Sequence, residues 1–160
     1  MKKILWSVVL LLLLGIAFAF SYAGINAPDY SFELHSDAVS APVEIIFDDM
    51  AVPHIYAETE TDAMHALGFV HASERLWQMD LLRRAGAGEL SELFGEDMIE
   101  NDQYLRSLGM REAAVRTSAA FEREAPDNIQ KAMAAYIAGI NAFIATDNRP
   151  FEYQLLGENP

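Results

Sequence analysis

The sequence predicts an α+β fold that is mostly helical, on three observations. Residues 43–57 hold two short runs of alternating apolar and polar positions, joined by Asp48-Asp49-Met50-Ala51, the pattern of a hairpin. From Asp62 to Ala85 no proline interrupts a run of large apolar residues at helical spacing. The stretch PDNIQKAMAAYIAGINAFIA repeats apolar residues every three or four positions, the cleanest helical period in the chain.

Taken from the N-terminus, Lys2 and Lys3 precede a charge-free run of 17 residues from Ile4 to Phe20. That layout is an export signal with Ser21-Tyr22-Ala23 as its cleavage site, or a retained membrane anchor, which the five leucines from Leu10 to Leu14 favour. The run is slightly short of the ~20 residues that span a bilayer comfortably. In either case the lysines stay inside and the body leaves the cytoplasm. Residues 1–27 are therefore read as leader and 28–160 as the body, with residues 4–20 as the membrane contact. Residues 24–42 read as a linker, with one short strand around Tyr30 to Leu34.

The hairpin follows, with Val43, Ile45 and Phe47 on one face and a second strand over Val52–Ala57. Thr59 and Thr61 are helix N-cap candidates, and Thr59-x-x-Asp62 loosely forms a capping box. The long helix sets Ala63, Leu67, Val70, Glu74, Trp77 and Leu81 along one stripe. Met64, His71 and Met79 widen it, so burial between layers is expected. Gly86 and Gly88 should end this helix through a left-handed cap. GELSELFGEDM reads as a short helix ended by Gly95, and another helix covers Leu108–Glu124. In the last helix Ile129, Ala132, Met133, Tyr136, Ile137, Ile140, Phe143 and Ile144 form the docking stripe, with Pro126 at its start.

Charge removes one function class. The chain carries −13 overall and +2 before Asp29, which leaves −15 on residues 29–160. Such a body repels phosphates, and no Lys/Arg cluster offsets this, so no nucleic acid is expected as a partner. Without cysteine there is no disulfide or thiolate metal site.

The residues themselves offer little catalysis. His65 and His71 stand six apart, off the i,i+4 spacing of a helical ligand pair, and His54 reads as a hydrogen-bonded structural group. Arg83 and Arg84 would grip an anion with forked donors, or pair with Asp80 or Glu89 and order the helix end, the reading we favour. Glu96, Asp97, Glu100 and Asp102 lack the glycine and spacing of a calcium loop and read as a solvated face. Gly86-Ala87-Gly88 follows a helix, so it is no phosphate loop. Trp77 and Tyr136 are core candidates. No catalytic, cofactor-binding or metal-ligating residue is assigned.

The order of motifs resembles the start of the α subunit in the penicillin acylase family. The resemblance rests on Val52-Pro53-His54-Ile55, on Ala66-Leu67-Gly68-Phe69-Val70-His71-Ala72 and on Arg75-Leu76-Trp77-Gln78-Met79-Asp80. It continues through Arg83-Arg84, Gly88-Glu89-Leu90-Ser91-Glu92, Tyr136-Ile137-Ala138-Gly139-Ile140-Asn141-Ala142 and residues 151–157, spanning about Pro42 to Pro160. Ala51 replaces the family's usual glycine, which implies a turn without positive φ, and Ser73-Glu74 stands where Gln-Asp is common.

That resemblance implies the N-terminal strands and helices of an N-terminal nucleophile hydrolase, an αββα sandwich. It implies an exported precursor that cuts itself into α and β subunits, with the new N-terminal serine of β as nucleophile and its amino group as base. Substrates would be amides of acylated compounds such as β-lactams and acyl-homoserine lactones. The chain is then a truncated portion of α, inactive alone, whose partners are the missing β subunit and, in the complete enzyme, a small amide. It needs no cofactor itself, and the complete enzyme has room for calcium. The implied location is periplasmic or secreted, with inner-membrane anchoring if the leader is retained. The alternative is a non-enzymatic helical module, periplasmic or membrane-anchored.

Overall fold

The computed structural model describes residues 2–25, 33 and 36–160, with side chains in the first helix given for 6–18, 20 and 21. The chain divides into two units, Met1–Leu34 and His35–Pro160. The expected strand around Tyr30 to Leu34 lies outside the described residues, apart from Glu33, which is in no regular element. The first unit is helix α1, Lys2–Ile25, whose described large apolar side chains are exposed. Among the described residues no helix is long and apolar enough to cross a membrane.

The second unit opens with an antiparallel hairpin of β1, Glu44–Phe47, and β2, Pro53–Tyr56, in register Glu44 to Tyr56 and Phe47 to Pro53. Ile45, Phe47 and Ile55 are half-buried while Ile46 and Tyr56 are exposed, as the two-residue period requires. Asp48 closes the turn: its carboxylate accepts from the amides of Met50 and Val52, both at 2.9 Å. This tight loop forces Ala51 to φ 58°, so the expectation of an ordinary turn there is corrected. The left-handed conformation costs a non-glycine residue about 1–2 kcal/mol, and Asp48 holds it in place regardless.

Helix α2 runs Glu60–Ala87. Thr59 caps it by accepting the Asp62 amide at 3.1 Å, and Gly88 ends it at φ 69°. Gly86 stays inside the helix. After α2 come α3 (Ser91–Phe94), a 3-10 turn (Glu96–Met98), α4 (Ile99–Ser107), α5 (Met110–Glu124), α6 (Asp127–Ala145) and α7 (Phe151–Leu156). Neither α4 nor α7 was expected as a helix.

The core lies where α6 crosses α2, and two glycines set their separation. A Cβ on Gly68 would stand 2.0 Å from the Tyr136 carbonyl oxygen, and one on Gly139 would stand 1.9 Å from that of His65. The helices therefore touch backbone to backbone. This rotates the contact face away from the stripes expected from sequence. On α2 the buried positions include His65, Ala66, Gly68, Phe69, Val70, Ala72, Leu76 and Asp80, and on α6 they are Ala132, Ala135, Gly139 and Phe143. Of the expected large residues, Ile129, Met133, Ile137 and Ile144 are exposed. Phe69 meets Phe143 edge to face at 5.6 Å, and Ala72, Leu76 and Tyr153 complete the cluster, with Trp77 and Ile140 against its side. Fully burying each large member contributes roughly 1.5–3 kcal/mol as an upper bound.

Candidate functional site

Around the C-terminal end of α2, six charged side chains and one phenol converge. Asp80 follows Leu76 by one turn and so points into the same interior. Its Oδ1 accepts from Arg83 Nε at 2.9 Å and Nη2 at 2.7 Å. Its Oδ2 accepts from Arg84 Nε at 2.9 Å and from the Tyr153 hydroxyl at 3.0 Å. The spacings i,i+3 and i,i+4 place both arginines over their acceptor on the helix surface. Arg84 reaches on to Glu92 at 2.9 Å and Arg83 to Glu89 at 3.4 Å, while Arg111 of α5 also bonds Glu89. One buried carboxylate thus binds α2 to α7, and its arginines extend the network to the residues around α3.

Burial opposes ionisation of Asp80, but the hydrogen bonds from Arg84, Arg83 and Tyr153 outweigh it and hold its pKa below the ordinary carboxylate value. The Asp80 hydrogen bond raises Arg84, and burial together with Asp80 raises the Tyr153 phenol. Asp80, Arg84 and Tyr153 are thereby each held in their ordinary charge state. Arg83 and Arg84 both bond Asp80, and each spends its Nη1 on Glu89 or Glu92, so the ion-pair alternative is the one the structure shows.

A second carboxylate corrects the sequence reading. Asp102, expected on a solvated face, is buried and accepts the Leu90 and Ser91 amides, each at 2.8 Å. Glu96, Asp97 and Glu100 of the same run are exposed. Burial opposes ionisation of Asp102, and the Ser91 and Leu90 donors overcome it, so its pKa falls. The bonds satisfy amides at the start of α3 that have no helical acceptor. Gly88 permits this, since a Cβ there would meet the Asp102 carbonyl oxygen at 2.7 Å, and Arg106 Nε donates to the Gly88 carbonyl at 2.8 Å.

The histidines do not converge. His54 is exposed and lies 3.3 Å from Asp48. His71 is exposed and bonds the Tyr136 hydroxyl at 3.0 Å, which leaves Tyr136 half-buried at the helix edge. His65 is buried with neither ring nitrogen partnered among the described residues. Trp77 sits half-buried, edge-on to Tyr153 at 5.1 Å and to Phe94 at 6.4 Å. Among the described residues no three His, Cys, Asp or Glu are grouped to hold a metal ion. Three serine hydroxyls are committed: Ser40 to Asp62 at 2.6 Å, Ser73 to the Val70 carbonyl and Ser107 to that of Tyr104. The arrangement orders helix ends.

Sequence reasoning found the arginines and two of their three carboxylate partners, Asp80 and Glu89, but not Glu92. It missed Tyr153, Asp102, and the pair Gly68 and Gly139. Glycines inside a helical period were the available signal for the last two.

The penicillin amidase family profile matches residues 42–160. The penicillin acylase 2 proenzyme of Pseudomonas sp. (strain SE83) is 43% identical over 134 residues, covering 83% of this chain and 17% of the relative. The acyl-homoserine lactone acylase QuiP of Pseudomonas aeruginosa is 34% identical over 120 residues, 74% of this chain and 14% of the relative. Among solved structures, the thermostable penicillin G acylase from Alcaligenes faecalis superposes with a TM-score of 0.63 at 24% identity, over 74% of this chain and 64% of that one. The chain spans less than a fifth of the length of the curated relatives it matches. In fold it is the mostly helical N-terminal portion of an N-terminal nucleophile hydrolase.

Proposed function

The chain belongs to the penicillin amidase family, and on that premise we propose that it is the scaffold portion of an exported acylase-type amidohydrolase precursor. The observation that carries this reading is the fate of the matched motif residues. Asp80, Arg83, Arg84, Glu89 and Glu92 bond to one another, and Gly68 and Gly139 fix the helix crossing. These residues hold a frame rather than a reacting centre.

In this reading the complete enzyme hydrolyses linear amide bonds of acylated substrates, of the β-lactam or acyl-homoserine lactone type that the relatives' names indicate. The nucleophilic serine stands at the start of a β subunit cut from the same precursor, which is this chain's partner. Its amino group takes the serine proton, and oxyanion donors on β steady the tetrahedral intermediate. This chain contributes rigidity: α2 and α6 in backbone contact form a base that side-chain rotation cannot deform. Export rests on the leader read over residues 1–27. The retained-anchor alternative finds no support in a membrane-length apolar helix among the described residues.

The test is the coding sequence downstream of the Pro160 codon. An uninterrupted frame reaching a serine at a processing junction supports the proposal. A stop with no acylase sequence after it removes the nucleophile and leaves the helical interaction module as the better reading.

A further inference from the structure

We propose that residues 36–41 are a docked edge of the body, latched to α2 by Asp62, and that proteolysis advancing from the leader side stops ahead of them. The sequence reads this stretch as linker, since no apolar period runs through it. It nevertheless belongs to the second unit and is folded on itself. The Ala38 amide donates to the Ser36 hydroxyl at 3.3 Å and the Val39 amide to the Ser36 carbonyl at 3.4 Å. Ser36, Val39 and Ala41 are half-buried, so three of the six residues pack against the body.

This turn delivers Ser40 to a buried carboxylate. Asp62 is 2% exposed; its Oδ1 accepts the Ser40 amide at 2.8 Å and its Oδ2 the Ser40 hydroxyl at 2.6 Å. Asp62 is the third residue of α2, where a carboxylate normally turns back to the amide of the capping residue. Here both oxygens bond a residue 22 positions upstream. The Ser40 hydroxyl and amide, with the Thr59 hydroxyl and the Ala41 amide, outweigh burial and hold the Asp62 pKa below the ordinary carboxylate value. Bonds to a charged acceptor are stronger than neutral ones, and the first turn of a helix favours the negative charge.

The latch adds to the helix cap and does not replace it. Thr59 caps α2 through the Asp62 amide at 3.1 Å, a bond that needs no Asp62 side chain. The family profile begins at residue 42, so Asp62 lies inside the matched region and Ser40 just ahead of it. The latch therefore joins a flanking segment to the first helix of the shared fold. A protease must draw several residues into an extended form to cut among them. Residues 36–41 can be drawn out only after both Ser40 bonds break, so cleavage there follows the population of the unlatched state.

Limited digestion of the full chain with a protease of broad specificity, followed by intact mass, tests this. The resistant product of the unaltered chain should begin at or before residue 36. Ser40→Ala removes the hydroxyl and keeps the amide bond; it should speed cleavage within residues 36–41 by about tenfold and leave α2 and α6 as resistant as before. Asp62→Ala removes both bonds and should move the start of the product past Ala41, with helix content by circular dichroism unchanged. Should Asp62→Ala fail to fold, Ser40→Ala decides. The proposal is overturned by an unaltered product that begins inside or after residues 36–41, or by the lack of any resistant product. It is overturned as well if Ser40→Ala leaves cleavage there unchanged, or speeds it equally in α2 and α6, which would make Ser40 one contact of a single cooperative unit.

Discussion

Replacing Gly139 by alanine puts one methyl group into the crossing of α2 and α6. Its Cβ would lie 1.9 Å from the His65 carbonyl oxygen and 2.9 Å from both the His65 carbonyl carbon and the Phe69 amide nitrogen. A comfortable carbon–oxygen contact is about 3.2 Å, so the helices must part by roughly 1.3 Å. Both obstacles are helix backbone and cannot rotate aside. Parting also loosens Phe69 against Phe143. Overpacking of this kind costs about 1–3 kcal/mol, and a rigid backbone contact belongs at the upper end. Alanine recovers about 1 kcal/mol in helix propensity, leaving a net loss of about 2 kcal/mol. Gly86→Ala is the control within α2: its Cβ meets only Met110 Cε at 3.8 Å, so it should stabilise by up to about 1 kcal/mol. Urea unfolding of the full chain, followed by far-UV circular dichroism, should separate the two variants by about 3 kcal/mol with unchanged m. A Gly139→Ala chain as stable as the unaltered one would refute the reasoning.

Four further outcomes are expected. Ala51→Gly should stabilise by about 0.5–1 kcal/mol, the relief of left-handed strain less the added freedom of the unfolded chain, as a shift of the urea midpoint. Asp80→Asn should cost about 3 kcal/mol or more, because Arg84 and the Tyr153 hydroxyl lose their charged partner in the interior. The pH dependence follows from sign. The Asp80 pKa is depressed on folding, so its contribution is present above its unfolded value near 3.8 and is lost as pH falls through the lower folded value. Acid titration of stability should thus be flatter below about pH 4 in the asparagine variant than in the unaltered chain. His65→Phe should stabilise by about 1–2 kcal/mol, since an apolar ring replaces a buried imidazole with both nitrogens unpartnered among the described residues; thermal unfolding reads this directly.

The elements legible in the sequence were those whose signal is local. The hairpin over 43–57, the Thr59 cap, the Gly88 terminator and helices α2, α5 and α6 follow from period, capping and turn residues near in sequence. The family was legible too, because several motifs occur in one order. The helix faces were not. Hydrophobic period points to the stripe Ile129 to Ile144; its Ala132 and Phe143 are buried, but Ile129, Met133, Ile137 and Ile144 are exposed, since Gly68 and Gly139 let the backbones touch and turn the contact towards Ala135 and Gly139. Asp102 was hidden for a related reason. A carboxylate in an acidic run looks solvated until Gly88 brings α4 against the amides of Leu90 and Ser91. Tyr153 lies 73 positions from Asp80, and no local pattern announces such a pair. Arg83 and Arg84 were readable because two of their three acceptors, Asp80 and Glu89, lie within one or two turns; Glu92, eight positions past Arg84, was not read.

The central claim is that this chain frames a catalytic site carried by another segment of the same precursor. The most direct measurement is to isolate the species containing this chain from the producing cells, then obtain intact masses and N-terminal sequences. The account predicts two chains held together, the second beginning with serine, and turnover of an acylated amide by the pair. A lone chain with no serine-led partner, or amide turnover by residues 28–160 alone, would contradict it.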